Sequence, residues 1–264
     1  MKRIESFLSD RYQKVVVQGV HSEPEKVKSG VPQGTVLGPV LFILYINNIT
    51  EVIRNSACKI FADDSKLVKC IKNEEDKEML LADLQAVMDW ADINKMELNE
   101  SKFMLLQHGN NEEAKTPYQI SKTVTIEKAE YAKDLGILVD EDLKWSQQIA
   151  TATASAAQLV GWIMRVFQSR TKEVVLMLHK SLVRPKVEYG CVVWHPHLIS
   201  DIAKLESVQR TITARIEGME QYNYWERLQH LGLYSLQRRR ERYLCIHMFK
   251  IYSGILPNNL DLNF

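Results

Sequence analysis

In the stretch KIFADDSKL (residues 59–67), two adjacent aspartates sit between short apolar runs. A continuous strand cannot carry Asp63 and Asp64 comfortably, because alternation would aim one of them at the core. Two carboxylates a few ångströms apart also repel, and one would take up a proton unless a cation neutralised the pair. The chain is therefore constrained to turn here, with residues 59–62 and 67–71 as the arms of a hairpin. A turn breaks the strand alternation, so both carboxylates are free to face one side. Two readings of the pair follow from this stretch alone. Asp-Asp-Ser is a polar turn, since these residues favour turns, or it is a seat for a divalent cation, which wants carboxylate oxygens.

The flanking pattern divides the chain in two. Before the hairpin, a short helix within residues 1–20 leads to a strand at 15–17. A Gly/Pro-rich loop, SGVPQGTVLGP (29–39), then runs into the apolar segment 36–49. That segment exceeds ten residues and must start after Pro32, so a helix is expected rather than a strand. After the hairpin, Leu80, Leu84, Val87 and Ala91 recur at helical spacing, with acidic residues crowding the first turn of a helix over 74–93. LNESKFMLLQ (98–107) reads as a turn and then a strand, with further strands expected at 118–120, 124–126 and 135–139. From about residue 146 the pattern is helical: an Ala-rich helix over 148–168, and helix starts at Thr171, Ser200 and Ser235. The fold class expected is α+β, with one region over 1–145 and a mostly α region over 146–264.

Composition excludes several classes. The longest apolar run, VLGPVLFILYI, contains Gly and Pro and is too short to span a bilayer. The N-terminus lacks the apolar core of a signal peptide, so an intracellular protein, nuclear or cytoplasmic, is expected. Four cysteines without a CxxC spacing indicate neither a zinc site nor a disulfide framework. The net charge of +1 conceals an asymmetry: residues 1–149 carry 19 Lys and Arg against 24 Asp and Glu, a net of −5, and residues 150–264 carry 15 against 9, a net of +6. A basic second half suits a polyanionic partner. Arg238, Arg239, Arg240 and Arg242 could contact phosphates, although a charge run is more often a solvated helix face. Trp162, Trp194 and Trp225 are expected in the core. His195 and His197 have no third ligand nearby in sequence and read as loop residues.

The order of three features is more specific than any one of them. The Pro-Gln-Gly loop, the Asp-Asp hairpin and Asn99-Glu-Ser-Lys102 together resemble the palm of a reverse transcriptase of non-long-terminal-repeat (LINE-type, jockey-like) retrotransposons. SGVPQGTVLGPVLFILYINNI resembles that family's motif B, FADD its YxDD-type motif C, LNESKF its motif D, and YAKDLGILVDEDLKWSQQI the segment containing the primer grip. LVRPKVEYGCVVWHP, ISDIAKLESVQRTITARI and LYSLQRRRERYLCIHMFKIYSG resemble the helical region beyond the palm.

The resemblance implies a partial polymerase palm, an antiparallel sheet with packed helices, over 1–145 and a thumb-like helical region over 146–264. It implies an RNA-directed DNA polymerase, a nucleotidyltransferase using two Mg²⁺ ions, with RNA template, DNA primer and deoxynucleotide triphosphates as partners and no membrane. In that scheme Asp63 is the direct metal ligand and Asp64 the supporting one. Lys102 is the candidate that protonates the leaving pyrophosphate. Pro32, Gln33, Gly34, Phe61 and Ala62 line the template and primer: glycine lets the backbone approach a base pair, and Gln33 offers both a donor and an acceptor. The third carboxylate of the family, in motif A, and the fingers are expected to lie outside these 264 residues. MKRIESFLSDRYQ resembles the segment that follows motif A, and Asp10 stands in a helix-loop context unsuited to replace its aspartate. The alternative is a non-catalytic nucleic-acid-binding remnant or domesticated retroelement protein.

Overall fold

The computed structural model describes residues 2–109, 118–119, 125–126 and 128–257. They form two compact units, the first within residues 1–105 and 110–128, the second comprising 106–109 and 129 onward.

The first unit begins with α1 (Lys2–Leu8), followed by two-residue strands β1 (Tyr12–Gln13), β2 (Val16–Val17), β3 (Val20–His21) and β4 (Glu25–Lys26). β1 pairs with β4 and β2 with β3, both antiparallel. The apolar segment after the Gly/Pro loop is helical as expected: α2 (Leu37–Ile46) runs into a 3-10 turn, Asn47–Glu51. β5 (Ala57–Phe61) and β6 (Asp64–Val68) form the expected hairpin. α3 (Glu74–Ile93) is capped by Asn73, whose side chain accepts the Asp76 N–H at 2.9 Å.

Two small clusters hold this unit. Leu80, Tyr118 and Ile126 gather Leu67, Leu84, Phe103 and Leu105. Ile46, Ile49, Trp90 and Ala91 gather Phe42, Ile60, Val87 and Leu98. β7 (Tyr118–Gln119) and β8 (Thr125–Ile126) pair with each other. The strand expected after Lys102 does not form. Glu100–Lys102 is a 3-10 turn, and only an isolated bridge, Leu105 to Lys128, follows. The apolar residues there pack as single anchors rather than as a ladder.

The second unit begins with another hairpin, β9 (Tyr131–Asp134) and β10 (Ile137–Asp140). The single strand expected at 135–139 is thus corrected: Leu135 and Gly136 form a tight turn with Leu135 at φ 46°, a conformation a Leu-Gly pair does not advertise. This hairpin stands before residue 145 in sequence yet belongs to the helical unit. Its Ile137 joins that unit's core, and the Tyr189 hydroxyl donates to the Leu135 carbonyl at 2.8 Å.

Among the described residues seven further helical segments follow: α4 (Ser146–Val166), α5 (Lys172–Leu178), a π turn (His179–Val183), α6 (Arg184–Glu188), α7 (Ile199–Thr213), α8 (Tyr224–Leu231) and α9 (Leu236–Tyr252). α4 lays Ile149, Ala156, Val160 and Ile163 into one core with Leu205, Val208 and Ile212 of α7. The buried Ala152 and Ala156 are small enough to let the α7 side chains seat against this face. Asn223 and Glu226 form a reciprocal capping box on α8, and Ser235 caps α9 by accepting the Arg238 N–H at 3.2 Å. Trp194 is fully buried as expected, whereas Trp162 and Trp225 are 45% and 60% exposed and are not core residues. No helix among the described residues is long and apolar enough to cross a membrane.

Candidate active site

Phe61 pairs with Asp64, so the hairpin closes over just two residues, Ala62 and Asp63. Asp63 sits in the turn and Asp64 is the first residue of the returning strand. Cys58, Ile60 and Leu67 are half-buried, while Ala57, Lys59, Phe61, Asp64, Lys66 and Val68 are exposed. The pleat thus puts Asp64 on the solvent face beside Phe61, and Asp63 lies beyond the last rung. Both carboxylates are exposed. Ala62 holds φ 53°, a left-handed backbone that an alanine adopts only when its surroundings impose it.

The hairpin is tied on both sides to the other expected site segments. Ile60, three residues before Asp63, and Phe42 of α2 pack against the same buried cluster. Leu67, three residues after Asp64, and Phe103, the neighbour of Lys102, pack against the same buried cluster. Lys102 itself is exposed at the end of its 3-10 turn.

The loop ahead of α2 is organised by Thr35. Its hydroxyl donates to the Pro32 carbonyl at 2.8 Å and accepts the Gly38 N–H at 3.1 Å. Gly34 takes φ 75° inside this loop, and Gln33 and Gly34 are exposed at its surface. A Cβ at Gly38 would stand 2.9 Å from the Pro32 carbonyl oxygen, so the close turn requires glycine there. Sequence reasoning missed Thr35 and Gly38. The available signal was a Thr three residues before a Gly at a helix start, the spacing of a side-chain cap.

It also missed Asp83. This buried carboxylate accepts the Arg54 and Asn55 N–H groups at 3.0 and 2.9 Å and the Asn55 side-chain amide at 3.0 Å. It pins the turn from which β5 departs. Burial opposes its ionisation, but these hydrogen bonds outweigh burial and hold its pKa below the ordinary carboxylate value. The sequence signal was an acid inside the apolar stripe of α3, between Leu80 and Leu84.

Among the described residues no three His, Cys, Asp or Glu side chains are gathered into a possible metal cluster. The donor set at the tip is two exposed carboxylates. That suits a magnesium ion, which usually takes one or two carboxylates and fills its remaining octahedral positions with water and phosphate oxygens. His195 and His197 have rings 6.5 Å apart, with no third donor gathered to them among the described residues. Asp10 pairs with Lys26 at 3.3 Å in an exposed position.

Residues 2–139 match the family described as reverse transcriptase (RNA-dependent DNA polymerase). Similar proteins include a probable RNA-directed DNA polymerase from transposon X-element of Drosophila melanogaster, 26% identical over 82% of this chain. The RNA-directed DNA polymerases from mobile element jockey of Drosophila melanogaster and Drosophila funebris are 25% and 24% identical, each over 83% of this chain. In each case the match covers 25% of the relative, so the chain spans about a quarter of the length of these curated relatives. No solved structure matches.

Proposed function

The chain belongs to the reverse transcriptase family, and on that premise we propose that residues 1–145 are palm, bearing part of an RNA-directed DNA polymerase active site, and that residues 146–264 are the thumb-like region that follows it. The observation that carries this reading is the two-residue hairpin tip with Asp63 in the turn and Asp64 on the first rung.

Asp63, freed from strand alternation, is the direct metal ligand, and Asp64 supports it from the adjoining face. Bound Mg²⁺ ions supply the lowered pKa of the primer hydroxyl and neutralise charge on the departing pyrophosphate. Ala62, the smallest side chain at the tip, leaves room for the primer end, and Phe61 presents an exposed ring beside it. The Pro32–Gln33–Gly34 loop, held from behind by Thr35, offers backbone and the Gln33 amide to the template base pair. Lys102 delivers a proton to the leaving group. The substrates are an RNA template, a DNA primer and deoxynucleotide triphosphates. The two-ion site calls for a third carboxylate, and none is gathered to the tip among the described residues.

Primer extension tests the assignment. The 264-residue chain alone leaves a DNA primer on an RNA template unextended in Mg²⁺. Joined to the preceding fingers and motif A segment of a relative, it extends the primer, and Asp63→Asn removes that extension by orders of magnitude. Asp63-independent synthesis would refute the ligand assignment. A joined protein that folds but makes no product would refute the polymerase reading of this chain.

A further inference from the structure

The arginines of α9 have different surroundings. Arg238 is exposed, and Arg239 donates to the Glu188 carboxylate, at 3.1 Å to Oε2. Arg240 is turned inward. It is 1% exposed, and its Nε, Nη1 and Nη2 all lack a hydrogen-bond partner among the described residues. It stands one turn beyond the fully buried Leu236, on the side of α9 that meets the core. A buried charge with five unbonded N–H donors is among the costliest groups a core can enclose.

The carboxylates around Arg240 are engaged elsewhere. Glu206 accepts the Leu236 and Gln237 N–H groups at 3.1 and 3.2 Å and the Tyr224 hydroxyl. Glu188 holds Arg239 and also pairs with Arg184 at 3.5 Å. Glu241 is exposed and accepts from the Gln237 amide at 2.9 Å. Burial pushes the Arg240 pKa down, and Glu206, Cys191, Glu188 and Glu241 oppose that shift through space. None of them closes a hydrogen bond on it. Arg184, Arg239 and Arg240 thus share two shielded carboxylates, Glu188 and Glu206, and the cation without a bonded partner is the one most fully removed from water.

A second orphaned atom stands near the first. His195 lies in the segment between α6 and α7, and its Nδ1 is shut off from water without a partner. Burial, and then the Arg240 charge, push the pKa of this ring down, so a neutral imidazole neighbours the guanidinium. Cys191 of the same segment is 3% exposed, and burial pushes its thiol up, so no thiolate supplies the missing negative charge.

We propose that Arg240 and His195 hold a small inorganic monovalent anion, a halide such as chloride, between α9 and residues 191–195. The guanidinium supplies the opposite charge and several N–H donors, and the imidazole supplies an Nδ1–H donor. A water molecule would satisfy donors but leave the charge unmatched, whereas an anion answers both. A spherical ion also suits donors that arrive from two separate segments. The enclosure of Arg240 favours an ion small enough to be sealed in. The site belongs wholly to the helical unit and does not rest on the polymerase reading.

The test is thermal denaturation of the whole chain, followed by its helical signal, in sodium chloride, bromide or gluconate at equal ionic strength. Gluconate is too large to be enclosed and reports the effect of ionic strength alone. Chloride at about ten times its dissociation constant shifts the folded-to-unfolded ratio about tenfold relative to gluconate, and the effect saturates. Arg240→Leu abolishes the difference between the two salts, Arg240→Lys retains part of it, and His195→Phe reduces it. The control Arg165→Gln/Lys186→Gln, which removes two exposed charges elsewhere in the unit, retains it in full. Crystals soaked in bromide show an anomalous peak within hydrogen-bond range of the Arg240 guanidinium and His195 Nδ1. If Arg240→Leu does not fold, Arg240→Lys and the bromide map decide. The proposal is overturned if chloride and gluconate stabilise the parent equally, or if Arg240→Leu keeps the difference. It is also overturned if bromide occupies surface positions as an adventitious ion only, or if ordered water or backbone carbonyls satisfy Arg240 instead.

Discussion

The two units divide identity from stability. The first carries every residue implicated in chemistry, yet its clusters contain three and four fully buried side chains. The second carries none of the catalytic candidates and encloses a single cluster of 18. Large apolar side chains remain outside in both units: Val20, Val36 and Leu44 are 73%, 89% and 70% exposed in the first, and Ile199 and Tyr252 84% and 75% exposed in the second. Both units draw polar groups in, the first Lys77 and Asp83 and the second a larger set. Glu206 accepts the Leu236 and Gln237 N–H groups at 3.1 and 3.2 Å and the Tyr224 hydroxyl. Gln209 donates to Tyr224 and to the Tyr234 carbonyl, both at 3.0 Å. The difference follows from what each surface has to do. On the proposed reading, a site that meets ions, template and primer must leave its residues accessible, and an accessible residue contributes little burial. Helices packed only on each other face no such conflict.

The largest effect expected from this contrast is in core truncation. Leu205→Ala, at a fully buried position of α7, costs about 2–5 kcal/mol. Leu44→Ala, on the exposed side of α2, changes stability by no more than about 0.5 kcal/mol. Chemical denaturation of both variants measures this. A Leu44→Ala cost as large as that of Leu205→Ala would mean that the α2 face is covered in solution, and the contrast would break.

Acid sharpens the comparison next. His179 is fully buried, and its Nε2 faces the Gln209 side-chain oxygen at 3.1 Å. Gln209 uses its amide nitrogen as a donor to Tyr224 and Tyr234, so its oxygen is the acceptor, and the neutral ring is the Nε2–H tautomer. Burial pushes the pKa of His179 down from 6.5 to about 4. The Gln209 hydrogen bond and Glu188 oppose the shift, and Arg184 and Arg239 reinforce it. Between those values the unfolded chain binds a proton that the folded chain does not. Stability therefore falls as pH drops from about 6.5 toward 4, by on the order of 3 kcal/mol at the end of that window. Denaturation midpoints of the helical unit across this range check the loss, and His179→Gln removes most of the slope. An unchanged slope in that variant would assign the acid sensitivity elsewhere.

The smallest effect is at the hairpin tip. Ala62→Gly relieves a left-handed alanine, worth about 1 kcal/mol, but adds chain entropy to the unfolded state. The net stabilisation is below about 1 kcal/mol, and it is read from amide exchange across residues 57–68. A clear destabilisation would mean that the alanine methyl group packs at the tip.

Much of this protein is local in origin and therefore legible in its sequence. The Asp-Asp turn, the bounds of α3, the helix after the Pro-Gln-Gly loop, the Thr171 and Ser235 helix starts and the order of the motifs all rest on residues within a turn or two of one another. Period, cap and turn chemistry act at that range. What the tertiary structure decided is non-local. Asp83 on α3 anchors the turn at Arg54 and Asn55, nearly 30 residues earlier. The β9–β10 hairpin joins the helical core through Ile137 and Tyr189 rather than the unit that precedes it in sequence. Trp194 is enclosed while Trp162 and Trp225 are left half in water. Arg239 is neutralised by Glu188, 51 residues away, leaving Arg238 and Arg242 of the same run exposed. A run of arginines has no spacing that distinguishes its members. Only the faces that meet when helices pack determine which charge is paired within the protein and which is presented to a partner.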